Sequence, residues 1–249
     1  MIVCKSSREI EKLRVSGRIV REILEEVRLK AQPGTTTMDL ESYVEKRVKQ
    51  LSVKPAFRGY RGYPCCLCAS INNEIVHGIP SRRRILKDGD IVSLDLGVIV
   101  DGYYGDSALT APVGEISDSL KRLLRVTEES LQLAIERVRL GNRLGDVSAA
   151  VQKHAEQEGY SVVREFVGHG IGRALHEEPQ VPNYGEPGHG PVLKEGMVLA
   201  IEPMLNEGAG AVRVLEDQWT AVTADGTCSA HFEHMVAVTR NGPDILTKL

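Results

Sequence analysis

Asp95 and Asp106 lie in one apolar, β-rich stretch, Ile91-Val-Ser-Leu-Asp95-Leu-Gly97-Val-Ile-Val100-Asp-Gly102-Tyr-Tyr-Gly-Asp106. Asp101-Gly102 between the two runs is a hairpin-turn signal. A two-residue loop sets Val100 opposite Tyr103, and counting outward sets Gly97 opposite Asp106. Asp95 then shares a face with Asp106, as a diagonal neighbour with Cα atoms roughly 7–8 Å apart. Gly97 has no side chain to fill the space between them. Two acids on one apolar face repel each other and resist burial, so the pair calls for a positive partner, either an Arg or a metal ion. Taken singly, either Asp could cap a turn or face solvent, and Asp101 is assigned to the turn.

Three further residues sit in similar surroundings. His169 lies in Gly168-His-Gly170-Ile-Gly172, just after Phe166-Val167, where glycines let the backbone come close to a ligand. The glycine spacing matches neither a dinucleotide fingerprint nor a P-loop. Glu202 ends the apolar run Met197–Ile201 and precedes Pro203, and Glu233 lies in His231-Phe-Glu-His234 ahead of another apolar run. His176-Glu-Glu-Pro179 is not the H-E-x-x-H of zinc peptidases. Four acids and a histidine suit harder divalent ions such as Mn²⁺ or Fe²⁺. Four carboxylates balance two such ions, the arrangement of a two-metal hydrolase.

Such residues need a frame. Ser6-Ser7-Arg8-Glu9 reads as a capping box, and Ile10, Leu13, Val20, Ile23, Leu24 and Val27 follow at helical spacing. Pro33-Gly34 stops that helix, and a second follows Thr37. The same order returns with a long helix over Ser117–Leu140, a break at Gly141 and a shorter helix over Leu144–Glu158. Gly34 and Gly141, Asp39 and Asp146, and Val44 and Val151 are all displaced by 107 residues, which reads as an internal repeat. Strands are predicted at Ile91–Leu96, Val98–Val100, Tyr103-Tyr104, Val162–Val167, Met197–Leu205, Ala211–Leu215 and Phe232–Thr239. The expectation is an α+β fold. One catalytic domain spans residues 1–249, its halves about 1–115 and 116–249 sharing one sheet with a cleft between them.

The 249 residues are 42% hydrophobic and 26% charged, with a net charge of −3. That balance excludes a disordered chain and disfavours a general nucleic-acid binder. No apolar run reaches membrane-span length, and the N-terminus carries no signal-peptide pattern, so a cytoplasmic protein is expected. The five cysteines read as reduced thiols, with Cys65 and Cys66 as packing residues. Ser81-Arg-Arg-Arg84 reads as a solvated loop, with a transient ribosome contact as the alternative.

The sequence resembles the methionine aminopeptidases. The likeness runs through Val76-His77-Gly78-Ile79-Pro80, Asp90–Asp95, Gly168–Gly172, His176–Gln180, Ala200–Pro203 and Phe232-Glu233-His234, and spans nearly the whole chain. Asp95, Asp106, His169, Glu202 and Glu233 match the five metal ligands of that family in order and context. The resemblance implies the pita-bread fold, two pseudo-symmetric halves around a curved antiparallel sheet. It points to the bacterial-style type I form, without the N-terminal metal-binding extension of eukaryotic members or the helical insertion of type II. Implied with it are two divalent ions (Fe²⁺, Mn²⁺ or Co²⁺), a metal-activated water that attacks the scissile carbonyl, and removal of the initiator methionine from nascent polypeptides whose second residue is small.

By the same resemblance His176 steadies the scissile carbonyl, His77 contacts the substrate near the scissile amide, and Glu202 both ligates metal and handles the proton of the attacking water. Tyr60, Tyr63, Cys68 and Trp219 match positions of the methionine pocket. Phe57 and Leu175 add to it, with Met204 and His231 nearby. A monomer is implied. The competing readings are a prolidase or aminopeptidase P, which usually carry a separate N-terminal domain, and a non-catalytic binding protein, which should have lost ligands.

Overall fold

The computed structural model describes residues 1–249. Ser6 caps helix α1 (Ser7–Arg28), its hydroxyl accepting the Glu9 N–H while the Glu9 carboxylate accepts the Ser6 N–H. Leu13, Val20, Ile23, Leu24 and Val27 form the buried face of α1. A second capping box, Thr36 with Asp39, starts α2 (Thr37–Gln50). The first strands are β1 (Lys54–Pro55), β2 (Leu67–Ile71), β3 (Glu74–Val76), β4 (Ile91–Val100) and β5 (Tyr103–Pro112). Helices α3 (Asp118–Glu136) and α4 (Leu144–Gln157) follow, then β6 (Ser161–Val162), β7 (Gly168–Gly170), β8 (Glu177–Val181) and β9 (Val198–Ile201). The chain ends with β10 (Met204–Asn206), β11 (Val212–Val214), β12 (Ala221–Thr223), β13 (Ser229–His231), β14 (His234–Thr239) and β15 (Gly242–Ile245).

All pairings are antiparallel, so the chain is α+β as expected. The single shared sheet is divided into four hydrogen-bonded groups: β1-β4-β2 with β5, β13-β10-β6, β11-β12-β3, and β15-β14-β9-β7-β8. Two chain breaks produce this division. β9 stops at Ile201 and β10 resumes in another sheet at Met204, and β13 stops at His231 before β14 begins at His234. Pro203 has no N–H to continue a ladder. Glu202 and Glu233 occupy these two breaks. The gap between sheets is stitched by the Glu233 N–H donating to the Ala108 carbonyl at 2.9 Å and the Ser107 hydroxyl donating to the Glu233 carbonyl at 2.8 Å.

The repeat reaches the level of single hydrogen bonds. α2 and α4 are each 14 residues long, and Asp39 and Asp146 each accept the backbone N–H of the residue three before, Thr36 and Arg143. The Gly34 N–H donates to Leu86 and the Gly141 N–H to Leu193; the Thr37 N–H donates to Arg84 and the Leu144 N–H to Pro191. The isolated bridges Thr36–Ile85 and Arg143–Val192 repeat at the same displacement. That displacement carries Asp95 onto Glu202, a correspondence the sequence reading did not draw.

Two elements are shorter than expected. α3 ends at Glu136, not Leu140, because the chain turns there to pair with the Leu193 region, and the Asn142 side chain donates to the Arg137 carbonyl. The strand predicted over Val162–Val167 exists only at Val162; Glu165, Phe166 and Val167 leave the sheet to line a cavity.

The core follows the same division. α1 and α2 pack on β2, β4 and β5 around Val20, Leu24, Leu40, Val44, Leu94 and Leu96. α3 and α4 pack on the later strands around Leu123, Leu131, Val147, Leu199 and Val236. A third cluster, including Phe57, Tyr63, Leu175 and Met235, lies beside the cavity.

Candidate metal centre and substrate pocket

The β4–β5 hairpin forms as read. Asp101 (φ 50°) and Gly102 (φ 79°) make the turn, Val100 pairs with Tyr103 and Gly97 with Asp106. Asp95 pairs with Ala108, so the two acids are diagonal neighbours on one face. The space at Gly97 is not left open, however: a Cβ there would meet Phe57 Cε1 at 2.7 Å and the Ala56 Cβ at 2.9 Å. Phe57 lies over the glycine and walls the cavity beside the acids.

Asp95, Asp106, His169, Glu202 and Glu233 all face one cavity of about 300 Å³. Ligand atoms of Asp106, His169 and Glu233 lie within 4.8 Å of one another, and all three residues are buried. Glu202 Oε1 stands 3.4 Å from His169 Nε2, and Asp106 Oδ2 stands 3.9 Å from the same atom. His169 Nδ1 is 3.0 Å from the Gly170 carbonyl. A hydrogen bond donated there places the ring proton on Nδ1 and leaves the Nε2 lone pair facing the acids. Burial pulls the His169 pKa down to about 4, so the ring is neutral and able to ligate.

Burial pushes Asp95 up to about 7. Asp106, Glu202 and Glu233 are raised well above the ordinary carboxylate range, first by burial and then by one another's charge. Asp95 Oδ1, Asp106 Oδ1 and Glu233 Oε1 are buried with no hydrogen-bond partner. The only ion-pair contacts of these four acids are with histidines. The Arg alternative is thereby removed, and the orphaned oxygens with a neutral imidazole fit divalent cations.

These shifts give a stability prediction for chelator-treated protein. An unfolded carboxylate titrates near 4, whereas these folded acids hold their protons to higher pH. The folded state thus binds more protons than the unfolded one, and stability falls as pH rises. Buried His77, His169 and His231, pulled down to about 4, 4 and 3, act oppositely. They lose stability as pH falls from the unfolded value of 6.5 toward those numbers. Above pH 6.5 the unfolded histidines finish titrating, His176 and His234 included, and the acids dominate. The Tm of metal-free protein should fall by on the order of 5 °C from pH 6.5 to 8, and excess Mn²⁺ should reverse the trend. A Tm that is level or rising over that interval, by calorimetry, contradicts it.

The other side of the cavity is apolar. Tyr63 and Trp219 meet edge to face with centroids 5.1 Å apart, and Phe57, Cys68 and Leu175 join them. Burial pushes the Cys68 thiol far up, so it packs as a small apolar group. Met204 and His231 are not at the cavity surface. Met204 packs behind Val76, and His231 is buried with its Nε2 3.9 Å from Glu202 Oε2. Val76, Phe166 and Val167 also line the cavity and were not singled out as pocket residues from sequence, and exposed Arg61 and Glu165 stand at its rim.

Both remaining histidines face the same space. His77 has a left-handed backbone (φ 62°), and its ring packs edge-on against Phe166 and Trp219 at 5.4 and 6.1 Å. A non-glycine residue held there is costly, and here the strain aims the ring into the cavity. His176 Nδ1 is 2.7 Å from the Tyr60 hydroxyl, and its ring centroid is 4.3 Å from that of His169.

Residues 11–240 match the family model of metallopeptidase family M24. The chain belongs to metallopeptidase family M24. It is 51% identical over 249 residues, the whole of both chains, to "Methionine aminopeptidase 1" of Bacillus subtilis (strain 168). It is 49% identical to the methionine aminopeptidase of Clostridium acetobutylicum over 99% of each chain. The crystal structure of the methionine aminopeptidase from Thermotoga maritima superposes with a TM-score of 0.98 at 52% identity, covering all of both chains. The prolidase of Pyrococcus horikoshii OT3 is 24% identical with a TM-score of 0.80, and only 64% of that chain is covered, a likeness of fold. Members of this family are metallopeptidases, so this chain uses divalent metal, and none of its helices is long and apolar enough to cross a membrane.

Proposed function

We propose that this M24 peptidase removes the initiator methionine from nascent polypeptides when the second residue is small. The observation that carries the reading is the union, in one cavity, of a cation-demanding acid cluster with an apolar, aromatic-walled recess. The near-identity in fold to a methionine aminopeptidase over the full chain supports it. Residues 1–249 act as one catalytic unit and a monomer in the cytoplasm. Two divalent ions, Fe²⁺, Mn²⁺ or Co²⁺, are held by Asp95, Asp106, His169, Glu202 and Glu233. When bound, such ions polarise the scissile carbonyl and acidify the attacking water.

The chain's own residues do the rest. The apolar wall of Phe57, Tyr63, Cys68, Leu175 and Trp219, with Tyr60, takes the unbranched thioether side chain. Glu202 accepts the proton of the attacking water and returns it to the leaving amine. His176, with its Nδ1 accepting from the Tyr60 hydroxyl, directs Nε2–H at the oxygen of the scissile carbonyl as charge develops there. His77 holds the scissile amide. Arg82 and Arg83 are exposed whereas Arg84 is engaged with Glu74 and the Ile79 carbonyl, so a transient ribosome contact falls to the first two.

The test is to strip metal with chelator, restore Mn²⁺, Fe²⁺ or Co²⁺ anaerobically, and follow Met-Ala-Ser and Met-Leu-Ser by mass spectrometry. One methionine should leave the first peptide alone, and only with metal. Equal cleavage of both peptides, or preference for an Xaa-Pro peptide, overturns the reading.

A further inference from the structure

The turn Gly172–Glu177 presents Leu175 and His176 to the cavity, and it is fastened by a carboxylate that does not itself line it. Glu177 Oε1 accepts the backbone N–H groups of Arg173 at 2.8 Å and Ala174 at 3.2 Å, closing the turn onto its own end. Glu177 Oε2 accepts from Lys5 Nζ at 2.7 Å, across 172 residues of sequence.

Lys5 is an unusual cation. Its side chain is only 5% exposed, and its ammonium also donates to the Val3 carbonyl at 3.0 Å. Its own N–H donates to the Gly196 carbonyl at 2.7 Å, so the ammonium is delivered from a backbone anchored next to β9. A buried ammonium is costly unless paired, and a solubility role does not account for it. The joint is close-packed: a Cβ on Gly172 would stand 2.7 Å from both Glu177 Oε1 and Lys5 Cε. On the outer side, Arg173 lies over the Tyr103 ring at 4.6 Å and 3.6 Å from Glu9, but that side chain is exposed and leaves the backbone of the turn untouched.

We propose that Lys5 and Glu177 are a positioning pair for that peptidase reaction, with Lys5 orienting Glu177 and Glu177 fixing the turn that aims His176 and Leu175. The N-terminal segment is thereby part of the working site although it touches no substrate. The kinetic arm rests on the methionine-removing reading given above; the structural arm does not.

The test uses full-length, metal-loaded Lys5→Met, Lys5→Arg, Glu177→Gln and the Lys5→Met/Glu177→Gln double variant. Amide exchange at Arg173 and Ala174 in Lys5→Met should quicken about tenfold. With Met-Ala-Ser, kcat should fall about 10- to 100-fold, with metal content nearly unchanged and the variant still fully folded at the assay temperature although its Tm is lower. Lys5→Arg should recover most of that loss, and the double variant should be no worse than the worse single one. Retention of kcat within about twofold, a loss that tracks metal content or the folded fraction at the assay temperature, or losses that multiply in the double variant each overturn the proposal. A parent protein that leaves Met-Ala-Ser intact overturns the functional reading instead, and exchange at Arg173 and Ala174 then decides the positioning.

Discussion

Asp106→Asn should lower peptide cleavage by on the order of 10³-fold and abolish tight metal binding, yet raise the stability of the metal-free protein. Both effects come from one carboxylate. Asp106 lies 4% exposed among His169 and Glu233, with Oδ1 lacking any partner. Its pKa is raised by burial first, and then by the charges of Glu233 and Asp95. That crowding is tolerable only with cations present, and without them it is a standing repulsion. Asparagine keeps the volume, removes the charge, and offers an amide donor to neighbouring acid oxygens. Calorimetry of chelated protein should place the variant several degrees above the parent, while metal analysis of the loaded protein shows depletion. An ordinary structural aspartate would behave oppositely, since its loss leaves partners unsatisfied. A variant that is less stable than the parent without metal, or that keeps its metal and a tenth or more of the parent rate, would remove Asp106 from the proposed centre.

The parts of this site that were legible in sequence are those fixed by local rules. Asp101-Gly102 sets a two-residue turn, and the alternation of a strand then places Asp95 and Asp106 on one face with no further information. The capping box at Ser6 is equally local. What was misread depends on contacts distant in sequence. Val162–Val167 has the composition of a strand, but no neighbouring strand is offered after Val162, and Phe166 and Val167 instead meet the cavity. Gly97 looked like an open space because the ring that covers it, Phe57, comes from 40 residues earlier. Glu202 and Glu233 were recognised as acids in apolar strands, but local sequence does not show that each sits at a break where the chain passes from one sheet to another. Lys5 gives no sequence signal at all, because its partner is 172 residues away. The repeat was visible in three residue pairs, and the equivalent hydrogen bonds that fasten the segments before α2 and α4 extend it at the same displacement, which carries Asp95 onto Glu202.

His176→Ala should reduce kcat by about 10²- to 10³-fold while leaving KM and metal content close to those of the parent. The ring lines the open cavity, and its pKa is lowered first by desolvation there and then by the nearby Arg61 charge, which keeps it neutral. A neutral imidazole carries a single proton, and when the Tyr60 hydroxyl, 2.7 Å from Nδ1, donates to that nitrogen the proton sits on Nε2. The ring itself lies against His169, 4.3 Å between centroids, which ties its position to the metal-binding side of the cavity. A donor so placed matters most when the carbonyl oxygen becomes an oxyanion, and it contributes little to holding the ground-state peptide. The loss therefore belongs in kcat. Tyr60→Phe removes the directing hydroxyl but leaves the ring, and should cost a smaller factor, about tenfold, in the same parameter. Steady-state kinetics on Met-Ala-Ser with metal analysis of each variant separates the possibilities. A fall confined to KM would place His176 in substrate binding, and a fall that accompanies metal loss would make it a support for His169.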